Sequence, residues 1–219
     1  MQGDRLSRIV SFEALKLAAG IILLSPNLPL LFMGEEYGET APFPYFISHS
    51  DPDLIAAVRN GRREESAAFG WEGEPPDPQA AETFHSAKLK PEQRHTPGPH
   101  RHLWEFYRRL ILLRKSSDAL SFPDPLHREV FRVKRLRIGG IHCRSGKEEI
   151  CIVFYAGSTP VSARVPLPAG RWKKQIDSAE SRWGGSGSTL SAWIDSEGEV
   201  LMALPPYAFF MFSKQVENR

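Results

Sequence analysis

The sequence predicts two structural classes in series: an α/β segment over residues 1–117 and an all-β unit, read as an antiparallel β-sandwich, over residues 118–219. Three observations carry this reading. An apolar helical run stops at Ser25-Pro26-Asn27 and is followed at once by a short, continuously apolar run, the signature of a helix feeding a buried strand. A second helical run, His102 to Lys115, ends just before the texture changes. After residue 118 short β-branched and aromatic runs alternate with Gly- and Ser-rich turns, as in a sandwich. The boundary is placed near residues 116–126.

The first helix runs from Phe12 to Leu24, with Ser11 as N-cap and Ser7 as its rival. Apolar residues cover most of its surface, so it should pack on more than one neighbour. Leu28–Met33 is too short to decide strand from helix by periodicity, but its length and the flanking Pro26 and Gly34 favour a buried strand of the parallel kind. Residues 34–101 read as a long, mostly irregular stretch, which in a compact domain points to function or disorder. Within it Asp51-Pro52 opens a short helix carrying Leu54, Ile55 and Val58. Pro75-Pro76-Asp77-Pro78 and Thr96-Pro97-Gly98-Pro99 mark loops. In the helix His102–Lys115, Leu103, Phe106, Tyr107, Leu110 and Leu113 share one face, and Arg114 and Lys115 suit the negative end of its dipole. The expected strands are 130–133, 150–155, 161–165, 190–194, 200–203 and 207–212.

Composition excludes several function classes. With a net charge of +2 and short, interrupted basic runs, no nucleic-acid partner is implied. The N-terminus lacks a signal-peptide layout, and Leu15–Leu24 is too short to span a bilayer, so no membrane role and a cytoplasmic location are expected. Cys143 and Cys151 flank a turn at Ser145-Gly146-Lys147-Glu148 and would face each other in a hairpin, yet free thiols are the expected state. His95, His100 and His102 match no standard metal spacing, and Gly184-Gly185-Ser186-Gly187 lacks the Lys-Ser/Thr of a phosphate loop, so neither metal nor cofactor is expected. Trp172, Trp183 and Trp193 are read as core residues rather than a sugar platform.

Gly34-Glu35-Glu36-Tyr37-Gly38, directly after an apolar strand and with Ser25-Pro26 before it, resembles the last barrel strand of family 13 glycoside hydrolases, the α-amylase superfamily. Gly3-Asp4-Arg5-Leu6-Ser7, the run Gly34 to His49, Ala57 to Arg63 and Phe84 to Leu89 are similar to the malto-oligosyltrehalose trehalohydrolases of that superfamily. Phe106 to Arg114 resembles the last barrel helix, and Arg182 to Gly187 and Leu204 to Tyr207 the C-terminal sandwich. The resemblance therefore covers essentially the whole chain. It implies that residues 1–117 are the last strand and helices of a (β/α)8 TIM barrel, and that the enzyme's substrate is of maltooligosaccharide type. It also implies that the nucleophile, acid/base and transition-state carboxylates lie in barrel strands that this sequence does not contain, which makes a complementing N-terminal half one candidate partner. Another α-amylase relative, such as a branching enzyme, is the rival within the class, and a non-catalytic carbohydrate-binding or complementing module the rival outside it.

In such a barrel the site lies at the C-terminal ends of the strands, so the loop after Met33 should line the cleft. The candidate substrate contacts are Glu36, Tyr37, Phe43, Tyr45 and Phe46: four aromatic faces for sugar rings and one acceptor for hydroxyl groups. No catalytic residue is assigned within the chain. Glu35 and Glu36, adjacent at a strand end, point to opposite sides and make a poor acid–nucleophile pair.

Overall fold

The computed structural model describes residues 3–71, 73–121, 128–146 and 148–215. A short helix α1 (Leu6–Ile9) leads into α2 (Phe12–Leu24). The Ser11 hydroxyl caps α2 by accepting from the Ala14 amide at 3.3 Å, as its sequence position predicts. At the other end the Arg114 guanidinium donates to the carbonyls of Leu23, Ser25 and Asn27, satisfying the oxygens that a helix end leaves unpaired. Arg114 belongs to α5 (Pro99–Ser116), which follows α3 (Pro52–Ala68) and α4 (Ala81–Ser86); α6 (Asp118–Ser121) comes next. Leu17, Leu23 and Leu24 of α2 and Leu103, Phe106, Leu110 and Leu113 of α5 share one buried core.

Beyond the helices lie β1 (Arg128–Val133), β2 (Ile138–Ser145), β3 (Glu148–Tyr155), β4 (Val161–Asp177), β5 (Trp193–Leu204) and β6 (Phe209–Gln215). They form a single six-stranded antiparallel sheet in the order β1-β2-β3-β6-β4-β5. The expected two-sheet sandwich is thus corrected to one curled sheet. The curl arises in β4, where register shifts at Leu167/Gly170 and Lys174/Ile176 bend the strand so that it pairs first with β5 and then with β6.

Both faces of the central strands are buried, which explains their unbroken apolar runs. Along β3 and β6, Ile150, Ile152, Phe209 and Met211 point toward the helices, while Cys151, Val153, Phe210 and Phe212 fill the inside of the curl with Val165, Trp172 and Met202. The same alternation separates the cysteines. Cys143 opposes Ile150 and Cys151 opposes His142, so the two thiols stand on opposite faces; both are buried and free. Burial raises the pKa of both, that of Cys151 to about 12.

Several expected boundaries shift. The segments 190–194 and 200–203 belong to one strand from Trp193 to Leu204, and the strand begun at Val161 runs on to Asp177. Strand β2 is absent from the expected set, and Gly139-Gly140 within it is atypical of a strand interior. The glycines are there to admit aromatic rings: a Cβ on Gly140 would lie 2.2 Å from the Phe131 ring, and one on Gly139 2.8 Å from that of Phe154. Residues 34–101 are far less irregular than expected, with α3 alone spanning 17 residues. Lys147 of the predicted turn, and residues 122–127 at the predicted boundary, lie outside the described residues.

Leu28–Met33 forms no strand within this chain. The segment joins no sheet among the described residues. Leu31 packs against the helical core, but Leu28 is 95% and Leu30 89% exposed. A strand exists only through its ladder partners, and nothing described in this chain runs alongside.

One side chain fastens helix to sheet. Lys16 of α2 is fully buried, and its Nζ donates to the carbonyls of Ser178 (2.6 Å) and Trp183 (3.3 Å), just beyond β4, while pairing with Glu13 at 2.9 Å.

Candidate functional site

The candidate site is the loop from Gly34 to Phe46. Gly34 takes φ +86°, which a side chain would strain, and a Cβ there would lie 2.7 Å from Glu39 Cβ. This turn starts the 3-10 segment Glu35–Tyr37 and lets the Glu39 amide return to the Gly34 carbonyl at 2.8 Å.

Glu39 is the pivot of the loop. Its carboxylate is fully buried and accepts four hydrogen bonds: from the amides of Thr40 and Ala41 on one oxygen, and from the Tyr37 hydroxyl and the Lys90 amide on the other. Burial alone would raise its pKa, but these donors outweigh it and hold the carboxyl below the usual range. Arg5 braces the same loop from outside, donating to the carbonyls of Ala41 and Met33 (2.7 Å) and stacking on the Phe32 ring.

The sequence-predicted contacts separate into three kinds. Tyr37 is 2% exposed, with its hydroxyl spent on Glu39 and its carbonyl on His100 Nδ1 at 2.8 Å, so its ring offers no sugar a face here. Burial and the neighbouring Glu39 push its pKa upward. Phe43 and Phe46 are half-buried in a ladder of edge contacts, Phe32–Phe43–Phe46–Phe84, with centroids 5.1, 5.9 and 5.3 Å apart. Tyr45 stands 50% exposed with the Arg62 guanidinium 5.2 Å from its ring centre. Glu36 is half-buried and makes no side-chain hydrogen bond among the described residues.

Glu35 is engaged structurally. One oxygen accepts from the Tyr107 hydroxyl and the other from the Phe32 amide, at 3.0 and 3.1 Å. With both oxygens of Glu35 and of Glu39 occupied, Glu36 is the one carboxylate of the Glu35–Glu39 turn without a hydrogen bond among the described residues, and acid–nucleophile chemistry needs two. A cavity of about 340 Å³ lies between α1 and this loop, lined among others by Asp4, Arg5, Ser7, Phe32 and Phe43.

Sequence reasoning missed Glu39 as the pivot and Arg5 as the brace, because a buried, fully satisfied charge carries no local signature. It also misplaced Trp193, which is 49% exposed between Arg171 and Lys173, whereas Trp172 and Trp183 are core residues as expected. Among the described residues no cluster of His, Cys, Asp and Glu is arranged to hold a metal ion, and no helix is long and apolar enough to cross a membrane.

The Glu39 network predicts an acid-sensitive loop. Replacing Glu39 with Gln removes the charge and turns an acceptor oxygen into a donor facing donors; the expected cost is about 2–4 kcal/mol in a urea melt at pH 7. Because the folded carboxyl titrates below its unfolded value, its contribution is complete above the unfolded pKa and fades as pH falls through the folded one. The gap between wild type and variant should therefore narrow toward low pH; a gap independent of pH would count against the network.

No family model matches the chain. Among curated proteins, a malto-oligosyltrehalose trehalohydrolase from Mycobacterium tuberculosis is 38% identical over 182 residues, covering 80% of this chain and 30% of that protein. The enzyme of the same name from Rhizobium sp. (strain M-11) is 45% identical over 120 residues, covering 54% of this chain and 20% of its own length. The chain thus spans about a fifth to a third of the length of these relatives. Among solved structures, a candidate α-amylase from Salmonella typhimurium superposes with a TM-score of 0.73 at 28% identity, over 99% of this chain and 32% of that one. An α-amylase from H. orenii (TM-score 0.55, 16% identity) shares the fold. By sequence and by architecture, the chain belongs to the α-amylase-type glycoside hydrolases, in the group that resembles malto-oligosyltrehalose trehalohydrolase.

Proposed function

We propose that this chain forms the closing part of a glycoside hydrolase that cleaves maltooligosyl trehalose and releases trehalose, with the reacting carboxylates supplied by polypeptide outside it. The observation that supports this most is the 182-residue match to a trehalohydrolase, which runs through most of the chain. The site chemistry fits the same division of labour. A retaining glycosidase places two carboxyl groups about 5–5.5 Å apart; here Glu35 and Glu39 are spent on holding the loop, which leaves Glu36 as the one unbonded carboxylate of that turn.

In this reading Leu28–Met33 is the last strand of a (β/α)8 barrel, and its bare edges are where neighbouring barrel strands pair. Helices α2 and α5 flank it, and the Gly34–Phe46 loop borders the sugar groove at the strand's C-terminal end. Glu36 accepts hydroxyl hydrogen bonds, Tyr45 offers an open ring, and Phe43 and Phe46 present edges. Tyr37 contributes by fixing Glu39 rather than by touching sugar.

Reconstitution tests this. The chain would be co-expressed with the N-terminal part of the Rhizobium relative that precedes the matched segment, and trehalose release from maltooligosyl trehalose measured. The expected result is no turnover by the chain alone and turnover by the pair. Turnover by the chain alone, or a stable pair that releases no trehalose, would overturn the proposal.

A further inference from the structure

We infer that Trp71, with Tyr45 and Arg62, forms a glucosyl-binding subsite at the outer end of the proposed groove. The inference rests on the reading of this chain as part of a maltooligosaccharide-acting enzyme and adds a binding residue that the sequence alone did not single out.

A second cavity of about 330 Å³ is lined by Gly3, Phe43, Pro44, Tyr45, Arg62 and Trp71. Its size falls in the range of small-ligand sites. It adjoins the first cavity through Gly3 and Phe43, which line both and are joined by a 2.7 Å hydrogen bond from the Phe43 amide to the Gly3 carbonyl. The two cavities therefore meet at the Gly3–Phe43 contact, on the loop that carries Tyr45.

The walls of the second cavity are built rather than incidental. Trp71 is 40% exposed, and its amide donates to the Ser66 carbonyl at the end of α3. Phe69 stacks on one face of the indole, 5.0 Å away with 20° between the planes, so the ring is held in one orientation. Arg59 makes a two-bond pair with Asp77 (2.9 and 2.7 Å) and Arg63 bonds Glu74, tying α3 to the proline-rich segment that follows Trp71. Arg62 pairs with Glu65 and lies over Tyr45.

This combination suits a pyranose. Such a ring presents a flat C–H face and a rim of hydroxyl groups. Two half-exposed aromatic rings match the face, and a guanidinium beside them matches the rim. A glucan chain passing from the first cavity would meet Tyr45 and then Trp71.

The test is a titration of the whole chain with maltoheptaose, followed through the indole N–H resonances of its five tryptophans. Loss of one resonance in Trp71→Leu assigns Trp71, and the resonances of buried Trp172 and Trp183 report that the variant is folded. The expected result is a saturable shift of the Trp71 resonance with that of Trp193 unmoved. Binding of the Trp71→Leu variant, read by calorimetry, should weaken roughly five- to tenfold, and that of Tyr45→Ala similarly. Saturable binding that leaves the Trp71 resonance in place, shifts Trp193 instead, or is unchanged in Trp71→Leu overturns the subsite and leaves the glycosidase reading intact. Absence of any binding also overturns it, and the reconstitution assay then decides the enzyme reading separately.

Discussion

Replacing Lys16 with Met lowers stability by about 2–4 kcal/mol, because the carbonyls of Ser178 and Trp183 lose their buried donor while the aliphatic stem is kept. The effect is read as a drop in the urea midpoint at pH 7, beside an exposed control, Lys173→Met, which should move by less than about 0.5 kcal/mol. The pH dependence carries a sign. Burial lowers the Lys16 pKa from 10.5, against the opposing pull of Glu13 and Asp177. Between the folded value and 10.5 the unfolded chain binds more protons, so wild-type stability gains from this group as pH climbs through that window. The methionine variant lacks that gain. Equal midpoints for wild type and variant would show that Lys16 fastens nothing.

The second large effect is on association. Leu28 and Leu30 expose apolar side chains on a segment with no ladder partner among the described residues. Each leucine contributes about 1.5–3 kcal/mol when fully buried. The isolated chain should therefore self-associate in a concentration-dependent way through this segment. The double variant Leu28→Glu, Leu30→Glu should sediment as a monomer with an unchanged far-UV spectrum. A wild-type monomer whose amides at 28–33 resist hydrogen exchange would contradict this, since protection there requires a strand partner.

The local signals in the sequence proved reliable where they rest on short-range chemistry. Ser11 and Asp51 cap the helices they were expected to cap, and Leu103, Phe106, Leu110 and Leu113 face the core as their spacing requires. Signals that depend on distant partners misled. The run Leu28–Met33 has a strand's composition, yet composition cannot supply a neighbour. Gly139-Gly140 is atypical of a strand interior, yet sits mid-strand beneath two phenylalanine rings. In β4 the bulges that curl the sheet leave no mark that distinguishes one long strand from several short ones. At the site, Tyr45 is singled out by the family resemblance together with strand geometry, and the structure leaves its ring half exposed. The burial of Tyr37 could not be read in that way, because it follows from Glu39, and Glu39 is legible only once Lys90, 51 residues away, is known to donate to it.

The two predicted parts of the chain do not own separate interiors. Ile150, Ile152, Phe209 and Met211 of the sheet share their contacts with Leu17 and Phe106 of the helices. A fragment cut at residue 118 would carry an oily surface where that face now lies, and its stickiness would mimic ligand capture. Binding studies meant to isolate the β unit are better done by point changes within the intact polypeptide, which should melt in a single step.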